Sequence, residues 1–427
     1  MKIQEEYTNN IEPTQNRYES LPLDVDEFIG TVIFSLDNDA LELIFNMCSL
    51  RELMIMSQVC RRFKYVIYGM FRYRKSMQEL PVLLSIVNIK KDEEFMKIAN
   101  NKHISPFTMH FDSSIDRIKK LLFRGPMDLD VKFSFICQCC KNLEFLSFWR
   151  FPNLKDISSI SGCKMLKSLC LHECQNLSNV SSIGYCKNLI ILRLSDCQEV
   201  MDLSFLGQLD NLMNLEIRDC NKVSDISSLV QCKKLEEIIL HNCTSLMDVS
   251  VLSHLDNLID LEIRDCNKVA DISSLGQCKN LQKIILHNCT SLTDVSVLGQ
   301  CKNLEYLEMV GCTEVTDLSC LSQCVMLFSI RLYKCTGVTN VFSIGQCKNL
   351  ENLEMMHCIK VTDVSCLVNC KTLRVIFLNG CISLTDVSCL GHCKMLQWLN
   401  MEGCTGLTKE NVDSLREELP NCGIYWY

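Results

Sequence analysis

Apolar residues recur along this chain on a fixed beat of 23 positions. From Cys140 onward the pattern Cys-Lys-Asn-Leu-x-x-Leu-x-Leu-x-x-Cys-x-x-Leu-x-Asp-Val-Ser-x-Leu-x-x returns twelve times without an insertion. Its first position falls at Cys140, Cys163, Cys186, Leu209, Cys232, Leu255, Cys278, Cys301, Cys324, Cys347, Cys370 and Cys393. A period in this range marks a solenoid. One unit cannot bury its apolar side alone, so neighbours stack and share a core. The Leu-x-Leu alternation predicts a short strand. In the eighth unit Leu307 and Met309 are expected to point inward, and Tyr306, Glu308 and Val310 outward. Stacked strands of this kind form a parallel sheet on one face. The return segment, Asp317-Leu318-Ser319-Cys320-Leu321 in that unit, is too short for a full α-helix and predicts a 3₁₀ or single helical turn. Asp stands at its first position in nine of the twelve units, with Asn179 and Asn340 in two more, which is the regularity of a helix-turn N-cap. Units 209–254 recur almost unchanged as 255–300, so the middle of the exposed face repeats its own chemistry.

Ahead of the repeats the beat is lost. Residues 1–33 are polar, with Pro13 and Pro22, and predict a flexible arm. Residues 34–75 predict a compact helical segment. Residues 76–139 predict a linker that caps the open end of the 140–427 solenoid. Within it Ile115, Ile118, Leu121 and Leu122 lie at helical spacing before Gly125-Pro126.

Composition adds exclusions. The 427 residues are 48% hydrophobic and 22% charged, a soluble globular balance. A net charge of −8 gives no overall basic footprint, so no nucleic-acid partner is expected. The start, Met1-Lys2-Ile3-Gln4-Glu5-Glu6, lacks the apolar core of a secretory signal. No apolar stretch reaches the roughly 18 residues of a membrane span. A cytoplasmic or nuclear protein without a membrane partner is the expectation. The 30 cysteines fall mostly in two repeat columns, where Leu209, Leu255 and Phe151 substitute for them. They therefore read as small buried hydrophobes. Stacked strands roughly 4.8 Å apart would not forbid disulfides, but a reducing compartment argues against them. Cys320/Cys324, Cys366/Cys370 and Cys389/Cys393 sit on the repeat template, and Cys137-Gln138-Cys139-Cys140 has no nearby His, so neither a metal nor another cofactor is expected. The chain also lacks a phosphate-binding Gly-x-x-x-x-Gly-Lys-Ser/Thr loop, His-Glu-x-x-His and Gly-x-Ser-x-Gly, and an enzyme is not expected.

The unit resembles leucine-rich repeats of the cysteine-containing type, over Cys140 to about Cys404. That resemblance implies an α/β solenoid, a horseshoe with its parallel sheet on the concave face. The unit here is shorter than is common in that type, whose outer side is α-helical.

A second resemblance lies upstream. Leu41, Ile44 and Phe45 share a helical stripe, Ser49 and Glu52 form a capping box, and Leu50, Leu53, Met54 and Met56 add apolar side chains. Some forty residues can hardly bury all of this alone, so the surplus must meet a partner or residues 76–139. The blocks Leu36-Asp37-Asn38-Asp39-Ala40-Leu41-Glu42-Leu43-Ile44-Phe45, Ser49-Leu50-Arg51-Glu52-Leu53 and Ser57-Gln58-Val59-Cys60-Arg61-Arg62-Phe63 resemble an F-box, a small all-α motif, with Asp37 where that family usually has Pro. The resemblance implies docking onto the Skp-type adaptor of a cullin-RING ubiquitin ligase through Leu36, Leu41, Ile44, Phe45, Leu50, Leu53, Val59, Cys60 and Phe63.

Together the two parts suggest a substrate-recognition subunit of an SCF-type ligase, which would raise the effective concentration of an unidentified protein substrate. A repeat scaffold acting outside any ligase is the alternative. The concave face is the expected substrate site. Aromatic and Arg side chains dominate interface energetics, so Trp149, Arg193, Arg218, Arg264, Tyr306, Arg331, Tyr333, Phe377 and Trp398 are the candidates. Arg218 with Glu216 and Arg264 with Glu262 are expected as solvated ion pairs of little energy. His241 and His287, two units and roughly 10 Å apart, are too distant to share one zinc and read as surface residues.

Overall fold

The computed structural model describes residues 142–427, together with Cys137 and the backbone of two earlier strands at 84–87 and 120–124. All of these fall in Pro81–Tyr427, one of the two compact units into which the chain divides. The expected arm (1–33) and F-box helices (34–75), with Leu36 through Phe63, lie outside the described residues.

One open parallel sheet of fifteen strands runs through this unit in strict chain order. Strands β1 (Leu84–Val87) and β2 (Lys120–Arg124) precede the repeats. The twelve units then supply β3 (Phe145–Trp149), β4 (Ser168–His172), β5 (Ile191–Ser195), β6 (Asn214–Arg218), β7 (Glu237–His241), β8 (Asp260–Arg264), β9 (Lys283–His287), β10 (Tyr306–Val310), β11 (Ser329–Tyr333), β12 (Asn352–Met356), β13 (Val375–Phe377) and β14 (Trp398–Asn400). Strand β15 (Gly423–Tyr425) ends the sheet. Register is set by the apolar pair of each strand: Leu307 lies beside Ile284 and Ile330, and Met309 beside Leu286 and Leu332. All six are buried. A slip of one residue would carry this whole inward row to solvent. Each of the first eleven units returns through a five-residue 3₁₀ turn, from Ser158–Gly162 to Ser388–His392. The twelfth returns through α1 (Lys409–Glu418), opened by a capping box between Thr408 and Asn411. The result is the horseshoe expected from the repeat, with the sheet on its concave face.

Four features differ from the sequence reading or were not visible in it. Helical spacing over Ile115–Phe123 gives way to β2, where Leu121 and Phe123 occupy the register positions of Leu146 and Phe148. Here pairing with a neighbouring strand overrides a local period. The Asp column, second, sits one residue upstream of the turn's N-cap. Asp294 Oδ1 accepts the N–H of Ser296 at 2.7 Å while Val295 is the cap itself, an Asx-turn that starts the 3₁₀ segment. Third, the eleventh residue of every unit has positive φ. The nine non-glycine cases span 49–65°, and Gly311, Gly380 and Gly403 complete the column. Five of the nine are Asp or Asn, the residues that tolerate this left-handed region best. The bend turns the chain out of the sheet while its N–H still bonds forward, as Asp219 N to His241 O at 2.9 Å.

The cysteines, finally, do more than fill space. In the second column each thiol from Cys197 to Cys404 donates to the carbonyl of an inward residue one coil back, as Cys243 Sγ to Ile217 O at 3.6 Å and Cys312 Sγ to Leu286 O at 3.3 Å. The first column repeats the device, as Cys232 Sγ to Leu206 O at 3.2 Å. Leu209 and Leu255 preserve the apolar contact but lose the rung. Asn side chains do the same on the surface, as Asn303 Nδ2 to Lys279 O at 2.8 Å. From Cys163 to Cys422 every cysteine is a free thiol. Burial pushes the thiols of Cys186, Cys347 and Cys370 up to about 12.

Two outcomes follow. Asp202→Ala removes the bond from Ser204 N (2.8 Å) and should lower stability by about 0.5–1 kcal/mol, the low end for a capping group because this one is exposed and screened. The Ser204 bond holds the Asp202 carboxyl below its ordinary range. Its contribution is therefore present above the unfolded value and lost as pH falls through the folded one, so urea midpoints of the two proteins should converge in acid. At Cys186, Cys347 and Cys370, alkylation of the native protein by iodoacetamide at pH 8 should be slow and become fast in denaturant, because so little thiolate forms at these buried sites.

Candidate functional site

Three outward columns pave the concave face, at the first, third and fifth residues of each strand. Their chemistry changes along the solenoid. At the N-terminal end Trp149, 39% exposed, lies with its ring centroid 4.0 Å from that of His172. At the C-terminal end Trp398, 41% exposed, stacks on Tyr425 at 4.6 Å. Gly423 lies beside Trp398 in register, and a Cβ there would stand 3.4 Å from the indole. Phe377 is half-buried nearby on β13.

Between these ends the face is charged and internally paired. Glu216 receives both Arg193 Nε at 3.1 Å and Arg218 Nε at 2.5 Å. Further along, one chain of contacts crosses β8 to β12. Arg264 Nε meets Glu262 at 2.5 Å, and its Nη1 lies 2.7 Å from His287 Nδ1. His287 Nε2 lies 2.6 Å from Glu308 Oε1, and the Tyr306 hydroxyl donates to the other oxygen of Glu308. Arg331 Nη1 stands 3.6 Å from Glu308, its Nε 3.0 Å from Glu354, and its guanidinium 5.6 Å from the Tyr306 ring centroid. His287 thus stands between a guanidinium on one ring nitrogen and a carboxylate on the other. Hydrogen bonding from His287, then from Tyr306, and the charges of His287 and Arg331 hold Glu308 down at about 2 against the opposing effect of burial. Burial and Glu308 push Tyr306 up to about 12. On β11 the Tyr333 ring meets His357 edge-on at 5.6 Å, with Lys334 Nζ 5.1 Å from its centroid.

The nine candidate side chains thus all lie on described strands, but they are not one cluster. Arg218 and Arg264 are not the solvated pairs expected, because the side chains of Glu216 and Glu262 are only 19% and 14% exposed. His287, expected as a surface residue, is 13% exposed and is the hinge of the network. What the residue pattern did carry was adjacency: steps of 23 residues link 264 with 287 and 308 with 331 on successive strands. The junction from His287 to Glu308 crosses from the fifth-residue column to the third, an offset of 21 that the 23-residue period does not display. Among the described residues no group of His, Cys, Asp and Glu could hold a metal ion, and no helix is long and apolar enough to cross a membrane.

Comparison with known proteins fits this geometry. A family model for the F-box domain matches residues 33–75, and one for leucine-rich repeats (two copies) matches 279–323. No curated protein matches the chain. Among solved structures, an internalin (InlF) of Listeria monocytogenes is 19% identical over 74% of this chain and 88% of its own, with a TM-score of 0.60. The functional domain of InlJ from the same organism, described as including a cysteine ladder, is 16% identical over 68% of this chain and 66% of its own, with a TM-score of 0.50. TLR13 in complex with ssRNA13 is 18% identical over 74% of this chain and 52% of its own, with a TM-score of 0.53. At these identities the likeness is one of fold. The chain thus combines a match to the F-box domain with leucine-rich repeats.

The network has a measurable consequence. Glu308→Gln keeps the shape and removes the charge, and should cost about 1–3 kcal/mol at neutral pH. An unfolded glutamate titrates near 4.3 and the folded one at about 2. The stabilisation is therefore complete above the unfolded value and lost as pH falls from there toward 2. Urea melts of the two proteins should differ by a constant amount above about pH 5 and converge below it.

Proposed function

We propose that this chain is the substrate-recognition subunit of an SCF-type cullin-RING ubiquitin ligase. The observation that carries the reading is the pairing of an F-box match at 33–75 with a long repeat solenoid in one polypeptide. F-box and leucine-rich-repeat domains are typically recognition modules rather than catalysts. In this reading Leu36, Leu41, Ile44, Phe45, Leu50, Leu53, Val59, Cys60 and Phe63 grip the Skp-type adaptor. The concave face holds the target, and transfer of ubiquitin takes place on other subunits. The gain is in proximity: tethering turns a bimolecular encounter into an intramolecular one at effective concentrations up to about millimolar.

The aromatic ends suit this role best. Trp149 and Trp398 are large, rigid and still exposed, as anchors must be. Arg193 and Arg331 retain half-exposed guanidinium groups beside their carboxylates. Arg218, Arg264, Tyr306, Tyr333 and Phe377 frame the surface between them.

The decisive experiment is co-purification. The full chain should retain the adaptor, deletion of 34–75 should abolish retention, and Leu50→Asp or Phe45→Asp should weaken it at least tenfold. Equal retention by the deleted chain would refute the proposal.

A further inference from the structure

The nearly exact duplication of 209–254 as 255–300 provides an internal comparison, and on the concave face the two copies differ at two positions, both the first residue of a strand: Asn214 against Asp260 and Glu237 against Lys283. In the third-residue column, Ile239 lies between Glu216 and Glu262 in register, and Ile285 lies between Glu262 and Glu308. The surroundings differ at the first residue of the strands and at the fifth residue of the following strand, which is Arg264 beside His241 but Val310 beside His287. Beside Ile239 stand Glu237 and, directly across from it on β8, Asp260. Beside Ile285 the same positions hold Lys283 and Tyr306.

The second copy is finished. Ile285 is only 5% exposed, the Tyr306 hydroxyl is engaged by Glu308, and both nitrogens of His287 have partners. The first copy is not. Ile239 is half-buried, and it helps to line a shallow surface depression with Glu237, Asp260, Glu262 and Lys283. Two carboxylates face each other across adjacent strands there, an arrangement that is unfavourable by itself. Asn214 Nδ2 donates to Glu237 at 2.5 Å, and Lys283 Nζ reaches Asp260 only at 3.7 Å. The equivalent of the buried, bonded Nδ1 of His287 is His241 Nδ1, which is buried without a partner. The cations nearby are already committed: Arg218 to Glu216 and Arg264 to Glu262.

We propose that the concave face across β6 to β8 receives a basic side chain, a lysine or arginine, from the protein that the solenoid holds. Its aliphatic stem lies on Ile239 and its charge lies between Glu237 and Asp260. Charge complementarity assigns the occupant. A cation relieves the carboxylate pair, whereas an anion or a purely apolar group leaves it unrelieved. This inference rests on the reading of the sheet face as the target-holding surface, and it names the chemistry of that target.

The test is selection of a phage-displayed random dodecapeptide library on the full chain. Three variants serve as controls: Glu237→Gln with Asp260→Asn, which removes charge at constant shape; Glu237→Lys with Asp260→Tyr, which copies the finished half of the duplication; and Glu410→Gln, an exposed carboxylate on α1 remote from the depression. Circular dichroism and adaptor retention are checked for each. Peptides selected on the natural chain should carry a lysine or arginine at one fixed position. They should bind both double variants at least tenfold more weakly, the loss of one charge-assisted contact, and weaken with added salt. Replacing their basic residue by norleucine should cost the same factor. Selection of acidic or uncharged peptides, equal binding to the double variants, or no enrichment would overturn the inference. A chain that keeps the adaptor yet selects no basic peptide refutes this proposal alone, and a chain that never binds the adaptor refutes the ligase reading.

Discussion

Stacking of one coil on the next, with hydrogen bonds running along the solenoid axis, is the constraint on which the rest depends. The strands bond only to their sequence neighbours, and the rungs between coils extend well beyond the sheet. Thiols in two columns, amides of the Asn column and hydroxyls such as Ser228 Oγ to Leu203 O, 2.8 Å, all donate one coil back. Each rung through sulfur is weak, since S–H is a poor donor. Their value is positional. They satisfy carbonyls of the bends and turns that a sheet ladder alone would leave in a dry core. Stability in such an array is a sum of unit and interface contributions, and every interface here is built from the same parts.

That regularity explains why so much of the fold was legible in the sequence. The 23-residue beat gives the strand, its inward pair, the short return and the order of the sheet. It failed where the information is not periodic. Strand β2 lies outside the beat and reads as a helix until its partner Phe145–Trp149 is in view. The left-handed eleventh residue is visible only as a column rich in Asp, Asn and Gly, a weak signal when Arg150, Lys334 and His357 also occupy it. The thiol rungs were invisible because Leu can replace Cys in the same core.

The candidate site was legible as a surface but not as a mechanism. Outward columns named side chains that do lie on the concave face, yet their pairing depends on reach between strands. Arg264, His287, Glu308 and Arg331 form one network because long side chains span the gap between coils. The same network decides what is left for a partner. Arg218, Arg264 and Arg331 are half-neutralised by Glu216, Glu262 and Glu354, while Trp149 and Trp398 at the two ends keep exposed rings and Ile239 stays half-buried. A rigid, self-paired wall with a few unsatisfied places is a selective surface, because it presents little that any chance partner would bind.

The most direct measure of this account is amide hydrogen exchange resolved by repeat on the full chain under native conditions. Continuous stacking predicts one protected block from β4 to β14, with the slowest exchange in the middle units and a gradual fall toward both ends. Fast exchange interrupting the interior, for instance at the coils where Leu209 and Leu255 lack the thiol rung, would show separate units instead of a shared solenoid and would contradict it.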